Sequence, residues 1–340
     1  MKKLLILLIF FPIFSFVKAQ VTNPNPENGL VKWMSFKESQ EANKKQSRPF
    51  IIDIYTDWCG WCKHMMKTTY SNPFLADYIN NNFYPVKFNA ETRDTVEFMG
   101  EKYINKGNAQ RSTNDLAIKL LNGKLSYPTT LFMNSSFKFN LSAAGYLDIP
   151  KIEPLLVFTL ENVYMTTQVE EFQKRYKQSF YDTASVKKFQ VKWISINEAL
   201  MMNNVKPRKL LINLYSDYCN SCRVMYRTTF TDSSVATYLN NNFYMVNFNI
   251  VSKDTIKFNG NVFTNKNGIN EFSYALTGNN LYLPSISVLN EENKLITNIP
   301  YYITPENMLP IINYFGQDSY LKIKWEDYLK NYNNSRNSKP

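Results

Sequence analysis

Two cysteine pairs, Cys59 with Cys62 and Cys219 with Cys222, are the residues of this chain best placed to do chemistry. The first pair ends the stretch Ile51-Ile52-Asp53-Ile54-Tyr55-Thr56-Asp57-Trp58-Cys59-Gly60-Trp61-Cys62-Lys63: an apolar run suited to a buried strand, a short turn, then two thiols where a helix would begin. A cysteine at a helix N-terminus faces unpaired backbone N–H groups and the positive end of the helix dipole, which favour thiolate over thiol. The second thiol, one helical turn on, can close a disulfide with the first with little backbone movement. This makes Cys59 the candidate attacking thiol and Cys62 the candidate resolving one. The same spacing serves zinc knuckles, but two pairs 160 positions apart in separate strand-to-helix settings do not easily converge on one ion, so no metal is expected.

The elements that must hold these residues can be read from the pattern around them. A strand edge and helix over 32–45, with Trp33 and Phe36 as core anchors, precede the strand Phe50–Tyr55, and the helix carrying the cysteines is expected over about 59–70. Further helix over 74–80 and a second buried strand over 83–89 follow. Residues 94–105 read as a hairpin around Gly100, residues 112–121 as an amphipathic helix closed by Asn122-Gly123, 137–145 as the last strand pair and 151–164 as a closing helix. Tyr127-Pro128 stands just before an apolar strand, where a proline fixes a turn or a cis bond.

The chain then begins again. Lys192-Trp193-Ile194-Ser195 echoes Lys32-Trp33-Met34-Ser35 at an offset of 160, which persists through both cysteine pairs to Asn240-Asn241-Asn242-Phe243-Tyr244. Leu283-Pro284 answers Tyr127-Pro128 at an offset of 156. The chain is therefore read as a tandem duplication.

Trp58-Cys59-Gly60, Cys62 and Lys63 at the end of a central strand resemble the redox motif of the thioredoxin superfamily, with Trp61 in place of the usual proline. The resemblance implies an α/β fold: two thioredoxin-like domains in tandem, each a mixed central sheet flanked by helices with an inserted hairpin. It also implies a buried acid six residues before the first cysteine, at Asp53, that helps move the resolving thiol's proton, with a lysine near it at Lys87. A cis-proline facing the cysteines is implied at Pro128, presenting a backbone edge to an extended peptide. Substrate contacts are accordingly expected from Trp58, Gly60, Trp61, Tyr127, Pro128, Leu283 and Pro284. In the second copy Asp53 and Lys87 have become Asn213 and Asn247, and the motif reads Tyr218-Cys219-Asn220-Ser221-Cys222-Arg223. Loss of one charge alone would strand the other in the interior at about 3–5 kcal/mol, so their joint loss makes physical sense. His64, the one histidine of the chain, has Val224 as its counterpart and is read as a helix-surface residue.

With 340 residues, 44% of them hydrophobic and 15% aromatic, the chain has material for two ordinary cores. Residues 1–19 read as a signal peptide, with Lys2 and Lys3 before an apolar run containing Pro12 and a cut after Ala19. No cysteine follows the cut, as a lipid anchor would require. Cleavage removes Lys2, Lys3 and Lys18 and no acid, lowering the formal charge from +11 by three to +8. That excess is read as a solvated Lys- and Asn-rich surface, and nucleic acid is not expected as a partner. The expected organisation is a leader over 20–31, domain 1 over 32–165, a linker over 166–190, domain 2 over 191–316, and a C-terminal helix with a polar tail over 317–340, disordered over 331–340.

Taken together these readings point to an exported thiol–disulfide oxidoreductase, periplasmic if the host has an outer membrane. Cys59, Cys62, Asp53 and Lys87 would form the main redox centre, and Cys219 with Cys222 a divergent one. It needs no bound cofactor. Its partners are protein thiols and disulfides, a membrane-anchored thiol donor or acceptor among them, without stable membrane insertion after cleavage. Reductase, oxidase and isomerase directions stay open. So does a non-catalytic peptide-binding or chaperone-like module built on the same fold.

Overall fold

The computed structural model describes residues 29–182 and 190–337. The expected signal peptide, nearly all of the expected leader, and residues 183–189 and 338–340 lie outside the described residues. In the first repeat the order is α1 (Phe36–Lys45), β1 (Phe50–Tyr55), α2 (Gly60–Thr68), α3 (Pro73–Asn82), β2 (Tyr84–Asn89), β3 (Val96–Phe98), β4 (Glu101–Tyr103), α4 (Asp115–Leu120), β5 (Thr129–Met133), β6 (Asn140–Ala144) and α5 (Ile149–Leu160), followed by α6 (Val169–Phe180). The second repeat runs β7 (Trp193–Ile194), α7 (Ile196–Val205), β8 (Leu210–Tyr215), α8 (Asn220–Thr228), α9 (Ser233–Asn242), β9 (Tyr244–Asn249), β10 (Ile256–Phe258), β11 (Asn261–Phe263), β12 (Asn265–Lys266), β13 (Ile269–Asn270), α10 (Glu271–Thr277), β14 (Ser285–Leu289), β15 (Leu295–Pro300), α11 (Pro305–Gly316) and α12 (Trp325–Asn337).

Each repeat builds one mixed sheet. In the first the order is β2-β1-β5-β6, with β1 parallel to β2 and antiparallel to β5; in the second it is β15-β14-β8-β9-β7 with the same pairing sense. β1 sits in the middle and its residues from Phe50 to Ile54 are all buried, which explains why it reads as an apolar run broken only by Asp53 rather than an alternating one. Helices cover both faces. Ser35 and Glu38 start α1 with a reciprocal capping box, and Asn72 followed by Pro73 starts α3.

The expected hairpin is present in both copies. Its two-residue turns, Met99-Gly100 and Asn259-Gly260, have positive φ at both positions (54° and 80°; 48° and 78°), the twist that matches flanking strands. Phe98 and Tyr103 from this hairpin pack into the cluster of Phe36, Phe88 and Leu116 beside β1. α4 begins later than expected, at Asp115, because Asn114 caps it through the Leu116 N–H.

The segment between the repeats is helical over α6 and is built into a core. Phe172, Tyr176 and Ser179 on one face of α6 are buried, and Phe172 and Tyr176 pack in one cluster with Val157 and Phe158 of α5 and with Val224, Phe230 and Tyr302 of the second repeat. Arg175 on the same helix bonds Glu171 one turn back and reaches Glu306 of α11 at 3.0 Å. The two repeats therefore share apolar packing and an ion-pair clasp. At the C-terminus helix α12 continues to Asn337, through residues that the polar composition suggests are disordered. Trp325 and Tyr328 dock on Tyr314, and Tyr332 follows Tyr328 one turn on, giving the helix an aromatic seam.

Candidate functional site

The end of β1 delivers the first cysteine to a helix cap. Cys59 is the N-cap residue of α2: its N–H donates to the Thr56 carbonyl, and its Sγ accepts from the Cys62 N–H at 3.1 Å. Cys59 and Cys62 are joined by a disulfide across a Cα separation of 5.3 Å, and both are buried. Nothing acidic stands in the first turn of α2, and among the described residues no side chain bonds the Gly60 or Trp61 N–H. The positive end of this helix is therefore left to the cysteine sulfur, the arrangement that stabilises a thiolate.

Behind this cap lies a buried polar group with few partners. Asp53, four residues into β1, is fully buried; its Oδ1 accepts a 3.5 Å bond from the Tyr70 hydroxyl, and its Oδ2 has no hydrogen-bond partner. Burial pushes its pKa up to about 7, against the opposing pull of the Lys87 charge and the Tyr70 hydrogen bond. Lys87 is Asp53's register partner on β2, but it is only partly buried and its ammonium sits 4.8 Å from the centre of the Tyr55 ring. The expected buried ion pair is thus a fully buried acid beside a partly buried base. A carboxyl group that titrates near neutrality can take and give a proton under working conditions.

Two members of this group, Tyr70 and Thr130, escaped the sequence reading. The Tyr70 hydroxyl lies 3.4 Å from Thr130 Oγ1, and both residues are buried. Their counterparts are Phe230 and Ile286. The second repeat has replaced the whole set, acid, base, hydroxyl and hydroxyl, by Asn213, Asn247, Phe230 and Ile286, and the two amides bond each other at 2.8 Å.

Of the expected contact residues, Trp58, Gly60 and Trp61 flank the cap in the chain. Trp58 and Trp61 are 50% and 63% exposed, unusual for tryptophan. Trp58 donates to Glu91 at 2.9 Å, carries the Arg111 guanidinium over its ring, and meets the Tyr127 ring edge-on at 6.1 Å, which brings the Tyr127-Pro128 loop beside the cysteines. The Tyr127–Pro128 and Leu283–Pro284 peptide bonds are both cis. Gly60, the first residue of α2, has open space where a Cβ would stand. His64 is exposed as expected, and forms an aromatic cluster with Trp61 and Tyr146.

The second site repeats this geometry with a different environment. Cys219 caps α8 and is joined to Cys222, with Cα atoms 5.2 Å apart. A cavity of about 300 Å³ is lined by Asn213 and Asn247 together with Cys219 and Cys222, so the residue in Asp53's place shares a cavity with the pair. A second cavity, about 400 Å³, is lined by Tyr218, Cys219 and Leu283 of the second repeat together with Leu160, Glu161 and Asn162 of the first. Glu161 enters the site itself. Its Oε1 accepts from the Asn220 N–H at 2.9 Å, its Oε2 from the Ser221 N–H at 2.7 Å and from the Ser221 hydroxyl, and Oε2 lies 3.6 Å from Cys219 Sγ. Burial raises the Glu161 pKa and these hydrogen bonds oppose the rise. No local signal marks Glu161, because it acts on another repeat; its own counterpart is Gln317.

Comparison with known families and structures follows the two repeats. The family model Thioredox_DsbH, described as "Protein of unknown function, DUF255", matches residues 16–147, and the family model Thioredoxin_7, described as "Thioredoxin-like", matches residues 192–290. No curated protein matches the chain. Among solved structures, the chain is similar to a thioredoxin-fold protein from Helicobacter pylori (18% identity, 46% of this chain and 98% of that one, TM-score 0.32). It is also similar to a putative disulphide-isomerase from Bacteroides thetaiotaomicron (19%, 40% and 98%, TM-score 0.29) and a disulphide isomerase from Xylella fastidiosa Temecula1 (13%, 35% and 87%, TM-score 0.28).

Proposed function

We propose, because the chain belongs to the thioredoxin superfamily and carries two of its domains in tandem, that it is an exported thiol–disulfide oxidoreductase whose first domain is the main redox centre. The observation that carries this reading is the pairing, in the first domain, of an open helix cap at Cys59 with a buried acid, Asp53, titrating near 7. In the reducing direction the Cys59 thiolate attacks a client disulfide and forms a mixed disulfide, and the departing client sulfur takes a proton. The Cys62 thiol then gives its proton to the Asp53 carboxylate and attacks Cys59 Sγ. The second client sulfur leaves as a thiolate that takes the proton back from Asp53, two electrons have passed to the client, and the Cys59–Cys62 disulfide remains. A protein dithiol, anchored in the membrane, reduces it again. Run backward, the same steps oxidise a client.

Lys87 lies on the strand beside Asp53 and tempers the raised pKa of the acid. Trp58, Trp61 and the Tyr127-Pro128 loop form the surface on which an extended client strand lies, and Tyr218 with Leu283-Pro284 the corresponding surface of the second domain. Export rests on the pattern of residues 1–19; among the described residues no helix is long and apolar enough to cross a membrane. The test is capture: a Cys62→Ser variant mixed with an oxidised protein client accumulates a mixed disulfide on Cys59, seen as a dithiothreitol-sensitive band. A full-length Cys62→Ser chain that binds clients without any such bond supports the peptide-binding module instead.

A further inference from the structure

The two helix caps that hold the cysteine pairs differ in one respect that neither cysteine motif contains. At Cys59 the first N–H groups of α2 meet no side chain among the described residues. At Cys219 the corresponding N–H groups, of Asn220 and Ser221, are both taken by Glu161, which arrives from the C-terminal end of α5 in the other domain. A carboxylate at that position is itself an N-terminal cap. It satisfies orphan donors and draws on the same helix dipole that would otherwise stabilise a thiolate.

We propose that Glu161 is a positioning residue through which the first domain holds the second domain's cysteine pair closed: it occupies the anion-stabilising end of α8 and sets a carboxylate 3.6 Å from Cys219 Sγ, so that a thiolate there is opposed. The inference deepens the reading of this chain as a thiol–disulfide oxidoreductase, because it assigns the slower centre a cause. Two effects act in the same sense. The N–H groups that would solvate the thiolate are engaged, and a like charge lies in direct contact, within the range where mutual repulsion moves a pKa. When the Cys219–Cys222 disulfide takes up two electrons and two protons, the product is a pair of thiols rather than a thiolate and a thiol, and its attack on another disulfide is slow.

The contact is held in place from both sides. Glu161 follows directly on α5, whose Val157 and Phe158 are packed in the core shared with α6 and α8. The other ionisable groups lining the cavities at this corner are Tyr78 of α3, Glu153 of α5, which accepts from the Tyr181 hydroxyl, Tyr176 of α6, and Tyr215, Asp217, Tyr218, Arg223, Tyr226 and Tyr282 of the second domain. Burial raises the pKa of Tyr78 and of Tyr176, which keeps both neutral. Asp217 accepts from the Asn249 amide at 3.2 Å, and Arg223, the one cation in this set, has its guanidinium over the Phe180 ring. None of them has a polar contact with Cys219 Sγ, and Glu161 does.

The experiment uses the full chain with Cys59→Ser and Cys62→Ser, so that only the second pair reports, reduced with dithiothreitol and then alkylated with iodoacetamide across a range of pH. In this background Glu161→Gln keeps the shape and removes the charge, and Glu161→Ala removes the cap as well. Both variants are expected to lower the apparent pKa of Cys219 and to speed its alkylation near neutrality by about five- to tenfold, the rise in thiolate fraction being partly offset by lower nucleophilicity. Circular dichroism identifies a variant that has lost its fold; Glu161→Gln, which can still accept from α8, is then the deciding one. An unchanged profile in the folded variants overturns the proposal. So does a slower reaction with a raised apparent pKa, which would make Glu161 the general base of Cys219. Failure of the parent chain to exchange thiols at Cys59 counts against the proposed function, and leaves this result standing, because the alkylation reads the chemically reduced second pair alone.

Discussion

Replacing Asp53 with Asn should make the protein more stable and less active, and the stability gain should depend on pH in a defined sense. The pKa of Asp53 is pushed from its ordinary value of 3.8 up to about 7 by burial. The folded state therefore binds this proton more tightly than the unfolded chain does. By linkage, stability is greatest at a pH below the unfolded value, falls as the pH rises between the two values, and is flat above about 7. A gap of about three pKa units at 1.36 kcal/mol each means that ionised Asp53 costs the native state about 4 kcal/mol. Asn cannot ionise, and a neutral amide at the same place in the second domain is accommodated by Asn247. Urea unfolding of Asp53→Asn and its parent, at about pH 5 and about pH 8, should give a stability difference about 3 kcal/mol larger in favour of Asn at the higher pH. The same variant should accumulate mixed disulfide, because the proton of Cys62 has lost its acceptor, with turnover lower by at least about tenfold. A difference independent of pH, or one that grows toward pH 5, would refute the reasoning.

Four further outcomes are expected. Asn213→Asp places a carboxylate among Asn247, Phe230 and Ile286, without the lysine and tyrosine that temper Asp53, and should cost about 3–5 kcal/mol at about pH 8 and less at about pH 5, read by the same unfolding assay. Phe172→Ala empties a fully buried site in the core shared by the domains and should cost about 3–5 kcal/mol, with the first and second domains losing stability together when each is followed by hydrogen exchange. Trp61→Ala removes a side chain that is 63% exposed; unfolding should move by less than about 0.5 kcal/mol while KM for a protein client rises and that for a small disulfide does not. Cys222→Ser should trap far less mixed disulfide on Cys219 than Cys62→Ser traps on Cys59, compared on the same gel, because Glu161 stands at the second cap.

The sheet and the strand-to-helix setting of the first cysteine pair were legible because their signals are local. An apolar run ending in a turn and a CxxC is one contiguous stretch, and β1 and α2 lie where it places them. The hairpin was legible from Gly100, whose φ of 80° few other residues adopt readily. Tyr70 and Thr130 were missed because a buried hydroxyl in the turn after a helix or in an apolar strand looks like any core residue. The duplication held the missing signal: Tyr70 becomes Phe230 and Thr130 becomes Ile286 where Asp53 becomes Asn213. Glu161 has no such signal, because its partners, Asn220 and Ser221, are about 60 positions away in the other domain and the contact exists only once the shared core has set the angle between them. Helix α6 resembled a tether because its exposed face is charged, and the buried face spaced Phe172 and Tyr176 was the clue to its packing. The terminal helix was expected, but its continuation past residue 330 was hidden for a similar reason, since its aromatic seam is three residues wide in an otherwise polar run.

The central claim, that Cys59 and Cys62 form the working redox centre of a two-domain oxidoreductase, is tested most directly by turnover in the intact chain. The measurement is the rate of insulin disulfide reduction with dithiothreitol as electron source, for the parent, for Cys59→Ser with Cys62→Ser, and for Cys219→Ser with Cys222→Ser. The account predicts that the first double variant falls to the uncatalysed rate while the second keeps most of the parent's rate. Equal loss in both, or a first variant as active as the parent, would contradict it.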